Sequence, residues 1–308
     1  MHKNRIFRRA MLKVMGGAGL GMMIPSFSLY QAESIKTRTI PSSGEALPIV
    51  GLGSWIQFDV GTSASERAPL REVLTQMKQH GGRVIDASPM YGHSEAVVGD
   101  LTQELGIADH FFYATKVWTS GEQAGIRQME ASMQKMQRST MDLMQIHNLV
   151  DWKTHIKTLR QWKEGGKIRY MGVTHYTDSA HTRLEEIIRT ENIDFVQFNY
   201  SIRSRHAEQS LLETARKHGV AVIINRPYEG GALFGLVRNE EIPSWAEEYD
   251  ISSWGQFFLK FILSHSAVTC VIPGTSNPKH VVDNMLAGYG KLPDEAAREK
   301  MAGYIQEL

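Results

Sequence analysis

Short apolar runs alternate with longer segments of helical periodicity along most of the chain. Eight runs have the length and the apolar composition of buried strands: residues 49–55, 83–87, 111–117, 143–147, 168–174, 195–198, 220–224 and 268–272. Between them, apolar positions recur every three or four residues over segments 66–80, 94–105, 122–136, 152–164, 179–189, 206–217 and 253–264. This alternation of strands and helices predicts a parallel sheet.

The spacing of the units distinguishes a closed barrel from an open sheet. From residue 49 to residue 284 the eight units average about 29 residues each, close to what a (β/α)8 barrel of ~250 residues requires. An open doubly wound sheet normally has a glycine-rich first turn, and residues 51–55, GLGSW, do not supply one. We therefore predict a (β/α)8 TIM barrel. A β-hairpin over residues 38–48 should close its bottom, and residues 230–252 should form a mobile loop over the active end.

Residues 1–32 have a composition of their own. Five basic residues come first: Lys3, Arg5, Arg8, Arg9 and Lys13. An uncharged run over residues 14–31 follows, and basic residues before an apolar run are typical of an export signal. Residues 8–13, RRAMLK, resemble the twin-arginine signal, which implies that the twin-arginine machinery exports the folded protein. We expect an export signal segment over 1–32, a barrel domain over 33–308 and a periplasmic location.

Two other interpretations of residues 1–32 do not match the sequence. A membrane anchor needs about 20 apolar residues in one helix. The run over residues 14–31 instead contains four glycines and Pro25, so we expect no permanent membrane anchor. A dinucleotide-binding loop needs the spacing G-x-G-x-x-G after a strand, whereas Gly17 and Gly19 are followed by Met22. Small residues at 26–28 and near Ala32 offer two possible cleavage positions.

Composition narrows the classes of function. The 308 residues include 34 Lys and Arg against 33 Asp and Glu, a formal net charge of +1. This balance lacks the electrostatic attraction of a phosphate-backbone binder, so nucleic acid is not an expected partner. Cys270 is the sole cysteine, which excludes an intrachain disulfide framework and a cysteine-rich zinc cage. The 12 histidines do not cluster at ligand spacing, and we expect no metal.

Polar residues recur where consecutive predicted strands end. Asp86 closes the second strand, Lys116 the third and His147 the fourth. One β/α unit separates each residue from the next, so all three should reach the carboxyl-end face where barrel enzymes hold their active sites. Tyr91, on the loop after Asp86, can lean over them. We expect Asp86 to pair with Lys116, because an uncompensated lysine is costly to desolvate.

These residue types suit acid–base chemistry on a carbonyl group. A tyrosine with the ordinary pKa of about 10 is an intact O–H donor at neutral pH and can protonate a developing alkoxide. The ammonium of Lys116 lowers the cost of negative charge on the Tyr91 oxygen and should favour the phenolate. His147 can orient a substrate carbonyl as a second donor. Carbonyl reduction also needs a hydride, which no side chain supplies.

From about residue 38 to residue 290 the chain resembles the aldo-keto reductase superfamily. Residues 84–92, VIDASPMYG, are similar to the family's aspartate-to-tyrosine segment. Residues 114–117, ATKV, and 143–147, LMQIH, are similar to the segments that carry its lysine and histidine. The resemblance implies catalytic roles for the four residues named above. It also implies a nicotinamide-dependent oxidoreductase that reduces an aldehyde or ketone to an alcohol, or the reverse.

The resemblance further implies a set of cofactor contacts. Residues 172–175, GVTH, align with a segment that often reads Ser-Asn in the family, and residues 272–276, IPGTS, resemble its phosphate-and-adenine segment. Residues 225–228, NRPY, lack the family's ring-stacking aromatic, for which Tyr228 is the candidate substitute. We expect NADP(H) rather than NAD(H). The implied contacts are Thr174, His175, Gln197, Asn225, Gly274, Thr275, Ser276, His280 and Asn284.

An open substrate cleft is expected at the same face. The chain after Asn284 is mostly helix-like, over residues 293–308, so the long C-terminal loop of many family members should be missing. Trp55 and Trp118 are the expected apolar walls.

Two other functions stay open. One is a non-catalytic nucleotide-binding barrel that acts as a sensor or regulatory partner, and the other is a sugar isomerase that would need a metal cage.

Overall fold

The computed structural model describes residues 34–308, and the predicted export signal segment lies outside the described residues. An antiparallel hairpin of β1 (Thr37–Thr39) and β2 (Ala46–Pro48) comes first. Eight parallel strands follow: β3 (Leu52–Gly53), β4 (Val84–Asp86), β5 (Phe112–Val117), β6 (Met141–His147), β7 (Ile168–Thr174), β8 (Phe195–Asn199), β9 (Ala221–Asn225) and β10 (Cys270–Val271).

The eight parallel strands form the predicted barrel. Each strand from β3 to β10 pairs with its neighbour in the sequence. Bridges from Val50 to Val271 and from Gly53 to Gly274 join the first strand region to the last. These bridges connect β3 to β10 and so bring the two ends of the sheet together.

Helices surround the strands, and their apolar faces explain where they lie. In α4, Ile156, Leu159 and Trp162 recur every three residues and are buried against the barrel. Within residues 34–308, no helix has both the length and the hydropathy to span a membrane. The helices are α1 (Ala64–Gln79), α2 (Ser94–Glu104), α3 (Glu122–Lys135), α4 (Trp152–Glu164), α5 (His181–Thr190), α6 (Leu211–Lys217), α7 (Ala232–Leu236), α8 (Trp254–Leu263), α9 (Pro278–Leu286) and α10 (Glu295–Gln306).

Residues 230–252 differ from the loop that the sequence predicts. The segment contains α7 and a 3₁₀ turn over Ser244–Tyr249. Leu233 and Ala246 are fully buried, and the Trp254 indole N–H donates to Glu240 O at 2.9 Å. Helix α7 is only five residues long, too short for its apolar positions to establish a helical period in the sequence. Burial of these side chains gives the segment its structure.

The amino-terminal end of the barrel is apolar and closed. Ile40 and Leu47 of the hairpin region are fully buried among inward-facing side chains that include Phe112 and Phe195. The Arg38 guanidinium donates to backbone carbonyls beyond the end of α8, among them His265 O at 2.9 Å. The hairpin therefore closes the bottom of the barrel as predicted, and the chemistry-bearing residues lie at the other end.

Candidate active site

The ends of β4, β5 and β6 bring three predicted catalytic side chains together. Lys116 Nζ donates to Asp86 Oδ2 at 2.6 Å and to Ala87 O at 2.6 Å. The Lys116 and Asp86 side chains are 0% and 3% exposed. Burial lowers the pKa of Lys116, but the Asp86 charge and the other interactions raise it more, so the net shift is upward. The expected ion pair is present, and the ammonium keeps its proton.

Tyr91 lies over this pair from the loop after β4. The Tyr91 ring centroid is 5.0 Å from Lys116 Nζ and 5.8 Å from the His147 ring centroid. Burial raises the pKa of the Tyr91 phenol, the Lys116 charge lowers it, and the net shift is upward. The Lys116 ammonium favours the phenolate, as the sequence predicts, but desolvation of the phenol outweighs it. Tyr91 stays a protonated donor.

His147 is a neutral second donor. Burial, followed by the charge of Lys116, lowers the pKa of His147 to about 2. Ser88 Oγ lies 2.9 Å from His147 Nδ1 and already accepts from Met90 N at 3.3 Å. In the described part of the chain, Nδ1 is the only acceptor within reach of the Ser88 hydroxyl proton. We therefore assign the imidazole proton to Nε2, since Ser88 donates to Nδ1.

A layer of buried amides lies beside the ion pair. Gln197 Nε2 donates to Asp86 Oδ1 at 2.8 Å, and Gln145 Nε2 donates to the same oxygen at 3.2 Å. Gln197 Nε2 is also 3.4 Å from Gln145 Oε1. These residues come from the alternate strands β4, β6 and β8, the layering typical of a TIM barrel interior. Asp86 therefore connects the lysine to the amides.

Four of the predicted cofactor residues form one cluster at the ends of β7, β8 and β9. Gln197 Oε1 accepts from Thr174 Oγ1 at 3.1 Å and from Asn225 Nδ2 at 3.4 Å. Asn225 Nδ2 also donates to His175 O at 3.0 Å. Within residues 34–308, Asn225 Oδ1 is buried and has no hydrogen-bond partner. An unsatisfied buried acceptor at this position matches a ligand that carries an N–H donor.

Four of the other five predicted cofactor residues lie around the start of α9, and the fifth, Asn284, lies near its end. Gly274 approaches Gly53 so closely that a Cβ would lie 3.1 Å from Gly53 O. Thr275 Oγ1 accepts from Asn277 N at 3.0 Å, so this hydroxyl is partly used within its own turn. Ser276 and His280 are exposed. This second cluster therefore presents one exposed hydroxyl, one imidazole and the first N–H groups of a nine-residue helix.

Asn284 and Tyr228 bind each other. Tyr228 OH donates to Asn284 Oδ1 at 2.6 Å, and its ring lies 4.8 Å from the Phe234 ring. Tyr228 thus packs between α7 and α9 and is not a member of the Gln197 cluster. Of the two predicted walls, Trp118 is 41% exposed with its ring 6.4 Å from the His147 ring. Trp55 is 49% exposed on the loop after β3.

Sequence reasoning assigned no role to Ser88 and Gln145. Each lies two residues from a predicted catalytic residue, Ser88 after Asp86 and Gln145 before His147. Successive side chains of a strand alternate between its faces, so this spacing of two was the available signal for Gln145. Ser88 follows the end of β4, where that rule no longer applies.

Comparison with known proteins establishes the family. The profile of the aldo/keto reductase family matches residues 49–300. Methylglyoxal reductase YeaE of Escherichia coli is 28% identical over 259 residues, covering 81% of this chain and 89% of that protein. The NADH-specific methylglyoxal reductase of the same organism is 23% identical over 297 residues, covering 77% and 89%. The chain belongs to the aldo/keto reductase family and is an oxidoreductase.

A solved structure shows the same relationship. The aldo/keto reductase from Klebsiella pneumoniae, determined in complex with NADP and acetate, has a TM-score of 0.73 and 25% sequence identity to this chain. The alignment covers 85% of this chain and 93% of that protein. The barrel described above is therefore the fold of this family.

Proposed function

We propose that the protein reduces an aldehyde or ketone to the alcohol with NADP(H) as its preferred cofactor. The observation that carries this proposal is the mouth of the barrel, where a protonated Tyr91 lies over the buried Asp86–Lys116 pair beside a neutral His147. A donor of this kind matches a reaction in which negative charge develops on a carbonyl oxygen.

The residues present fit a nicotinamide cofactor. The unpartnered Asn225 Oδ1 beside Gln197 and Thr174 can accept from a carboxamide N–H. Ser276 and the N-terminus of α9 can hold a phosphate group. When bound, the cofactor supplies the hydride. The preference for NADP(H) is supported by the NADP complex of the Klebsiella protein, whereas one relative is named NADH-specific.

The chain's own residues handle the proton and the charge. Tyr91 donates its phenolic proton to the carbonyl oxygen as that oxygen becomes an alkoxide. The buried ammonium of Lys116 stabilises the negative charge left on the phenol oxygen, and Asp86 holds that ammonium in place. His147 donates Nε2–H to the carbonyl oxygen and so orients the substrate. Trp118, next to His147, forms an apolar wall.

The test is turnover by the purified protein. We expect oxidation of NADPH, followed by its absorbance, on addition of methylglyoxal or a simple aldehyde, and slower oxidation of NADH. A non-catalytic nucleotide sensor would bind NADPH, measured by fluorescence, without oxidising it when the carbonyl compound is added. That result would contradict the proposed function. Residues 34–308 contain no group of three or more His, Cys, Asp or Glu that could hold a metal ion.

We also propose that the twin-arginine pathway exports this barrel to the periplasm, on the support of residues 8–13 and the uncharged run after them. The double substitution Arg8→Lys with Arg9→Lys should leave the protein in the cytoplasmic fraction. Arg5→Lys, a matched change outside the arginine pair, should not. Equal periplasmic amounts of both variants would contradict the proposal.

A further inference from the structure

A second cavity lies beside the candidate active site, and we propose that it binds a carboxylate group of the carbonyl substrate, which rests on the proposed function. The cavity has a volume of about 580 Å³ and lies between the loops after β7, β8 and β9. Ligand pockets have volumes of roughly 300 to 1,000 Å³, so this one is large enough for a small metabolite. Its walls include Tyr176, Asp178, Asn199, Arg203, Arg226 and Glu229.

The cavity continues the active-site cluster outward on three adjacent strands. Tyr176 follows Thr174 by two residues, Asn199 follows Gln197 by two, and Arg226 follows Asn225 directly. His175, between Thr174 and Tyr176, is close enough to His147 for its charge to lower the His147 pKa. A substrate whose carbonyl lies at Tyr91 and His147 therefore has this cavity as a neighbouring space.

The carboxylates of the cavity wall already have donors. Glu229 pairs with Arg203 at 3.2 Å and accepts from Ser201 Oγ at 2.6 Å. Asp178 Oδ1 accepts from Asn199 Nδ2 at 2.5 Å. Glu229 thus has a cationic partner and Asp178 has neutral donors, so both carboxylates are hydrogen-bonded within the wall.

Arg226 differs from the other charged residues of this wall in its hydrogen bonding. Over residues 34–308, its guanidinium forms no hydrogen bond or ion pair with another side chain or with the backbone. Its contact is with the Tyr176 ring, whose centroid is 5.8 Å away. A guanidinium presents a planar fork of N–H donors that matches a carboxylate in two parallel hydrogen bonds. One unpaired cation matches a ligand group with a single negative charge.

The backbone at Arg226 supports a ligand-binding role. Arg226 has φ +50° and Glu229 has φ +52°, in the left-handed region that side chains other than glycine rarely adopt. Arg226 also precedes Pro227, which restricts its backbone further. Strained residues of this kind persist where the surrounding structure holds them, and they cluster at ligand clamps. The turn after β9 thus directs a strained, unpaired arginine into a polar cavity.

The test uses pairs of aldehydes with the same carbon skeleton that carry either a carboxylate or its neutral amide: 4-formylbenzoate against 4-formylbenzamide, and the longer 4-formylcinnamate against its amide. We expect the wild type to prefer the carboxylate in at least one pair by about tenfold or more in kcat/KM, the effect of a hydrogen bond to a charged group. Arg226→Gln should abolish the preference. Arg183→Gln, which removes an exposed ion pair with Glu186 on α5, is the matched control and should keep it.

The other possible results decide against the inference, or separate it from the proposed function. Equal kcat/KM within both pairs, or a preference that persists in Arg226→Gln, would overturn the inference. A weaker NADPH dissociation constant in Arg226→Gln with an unchanged preference would assign the guanidinium to the cofactor and overturn it as well. If the wild type reduces none of the aldehydes, the proposed function fails. Calorimetric binding of 4-formylbenzoate against its amide then still tests the cavity, because Arg226-dependent tighter binding of the carboxylate supports it and equal binding overturns it.

Discussion

The two ends of the barrel are built from the same strands and differ in what fills them. At the amino-terminal end, Leu47 and Ile40 pack among aromatic side chains such as Phe112, and the hairpin seals this end. At the carboxyl end, Asp86 and Lys116 are buried just as completely but must satisfy one another with hydrogen bonds. Apolar burial stabilises the closed end directly, whereas the polar end stabilises a charge distribution that can act on a ligand.

The open end also exposes apolar surface that the closed end hides. Five of the large hydrophobic residues exposed in the described chain lie on loops after β3, β4, β5 and β7: Trp55, Ile56, Met90, Trp118 and Tyr176. Ile56 also has φ +61°, an unusual conformation for a β-branched residue. Exposed apolar groups and unusual backbone conformations of this kind are typical of ligand-binding sites.

Tyr91→Phe should show the largest difference between the two ends, because it should change catalysis and leave stability unchanged. The substitution removes the proton donor and keeps the ring, so kcat for carbonyl reduction should fall by about two to four decades. Steady-state kinetics of the cofactor-loaded protein measure this effect. The unfolding midpoint should stay close to that of the wild type, since the closed end is untouched. Normal carbonyl turnover by a folded Tyr91→Phe variant would show that another group donates the proton.

Leu47→Ala should produce the opposite result. Leu47 is fully buried at the closed end, and removing a buried leucine side chain costs roughly 2 to 5 kcal/mol of unfolding free energy. Urea unfolding measures that loss, while kcat/KM of the folded fraction should stay within about twofold of the wild type, less than 1 kcal/mol in transition-state free energy. Leu286→Ala, at a side chain that is 41% exposed, is the control and should cost much less. A drop in kcat/KM as large as that of Tyr91→Phe would show that the two ends are coupled.

The local periodicity of the sequence predicted most of the fold. Strand β7 and helix α4 have the predicted bounds, because their apolar positions face a single core and follow a regular period. The grouping of the three candidate catalytic residues at strand ends was predictable because one β/α unit separates each from the next, and the parallel register then aligns them. The family resemblance supplied their roles.

The remaining features depend on contacts between distant residues. The bonds of Gln145 and Gln197 to Asp86 join residues 59 and 111 positions apart, so no local pattern reports them. The net rise of the Tyr91 pKa depends on how burial compares with the Lys116 charge, and burial is a property of the folded mouth. The left-handed backbone at Arg226 is likewise set by the turn it closes. Sequence patterns therefore do not predict these hydrogen bonds, the pKa of Tyr91 or the backbone conformation of Arg226.

Gln145→Leu tests whether the amide layer positions the catalytic pair. The change removes one donor from Asp86 Oδ1 and one of the contacts of Gln197 Nε2. A lost hydrogen bond to a charged group of this kind should lower kcat/KM by about tenfold and weaken NADPH binding, measured by fluorescence titration. Gln76→Leu, which removes an amide hydrogen bond to the carboxylate of Glu72 on α1, is the matched control and should leave both quantities unchanged. Equal effects of the two variants would mean that Gln145 has only a structural role.

A further expected effect is a pH dependence of stability that originates at the mouth. The pKa of His147 is about 2 in the folded protein against an ordinary value of 6.5, because burial and the Lys116 charge oppose the imidazolium. Between these two values the unfolded chain binds a proton at His147 that the folded protein does not. The unfolding free energy should therefore fall as the pH falls below about 6.5, by up to about 1.4 kcal/mol per pH unit from this group alone.

Urea unfolding of the wild type and His147→Gln between pH 4.5 and pH 8 isolates this contribution. Burial also lowers the pKa values of His175, His181 and His265, so both proteins should lose stability in acid and the difference between their slopes belongs to His147. His280→Gln, a substitution on the exposed surface of α9, controls for the change of side chain. The wild type should have the steeper slope below pH 6.5 and the same slope above it. Parallel slopes throughout would mean that the folded protein binds a proton at His147 as readily as the unfolded chain does, which would contradict the lowered pKa.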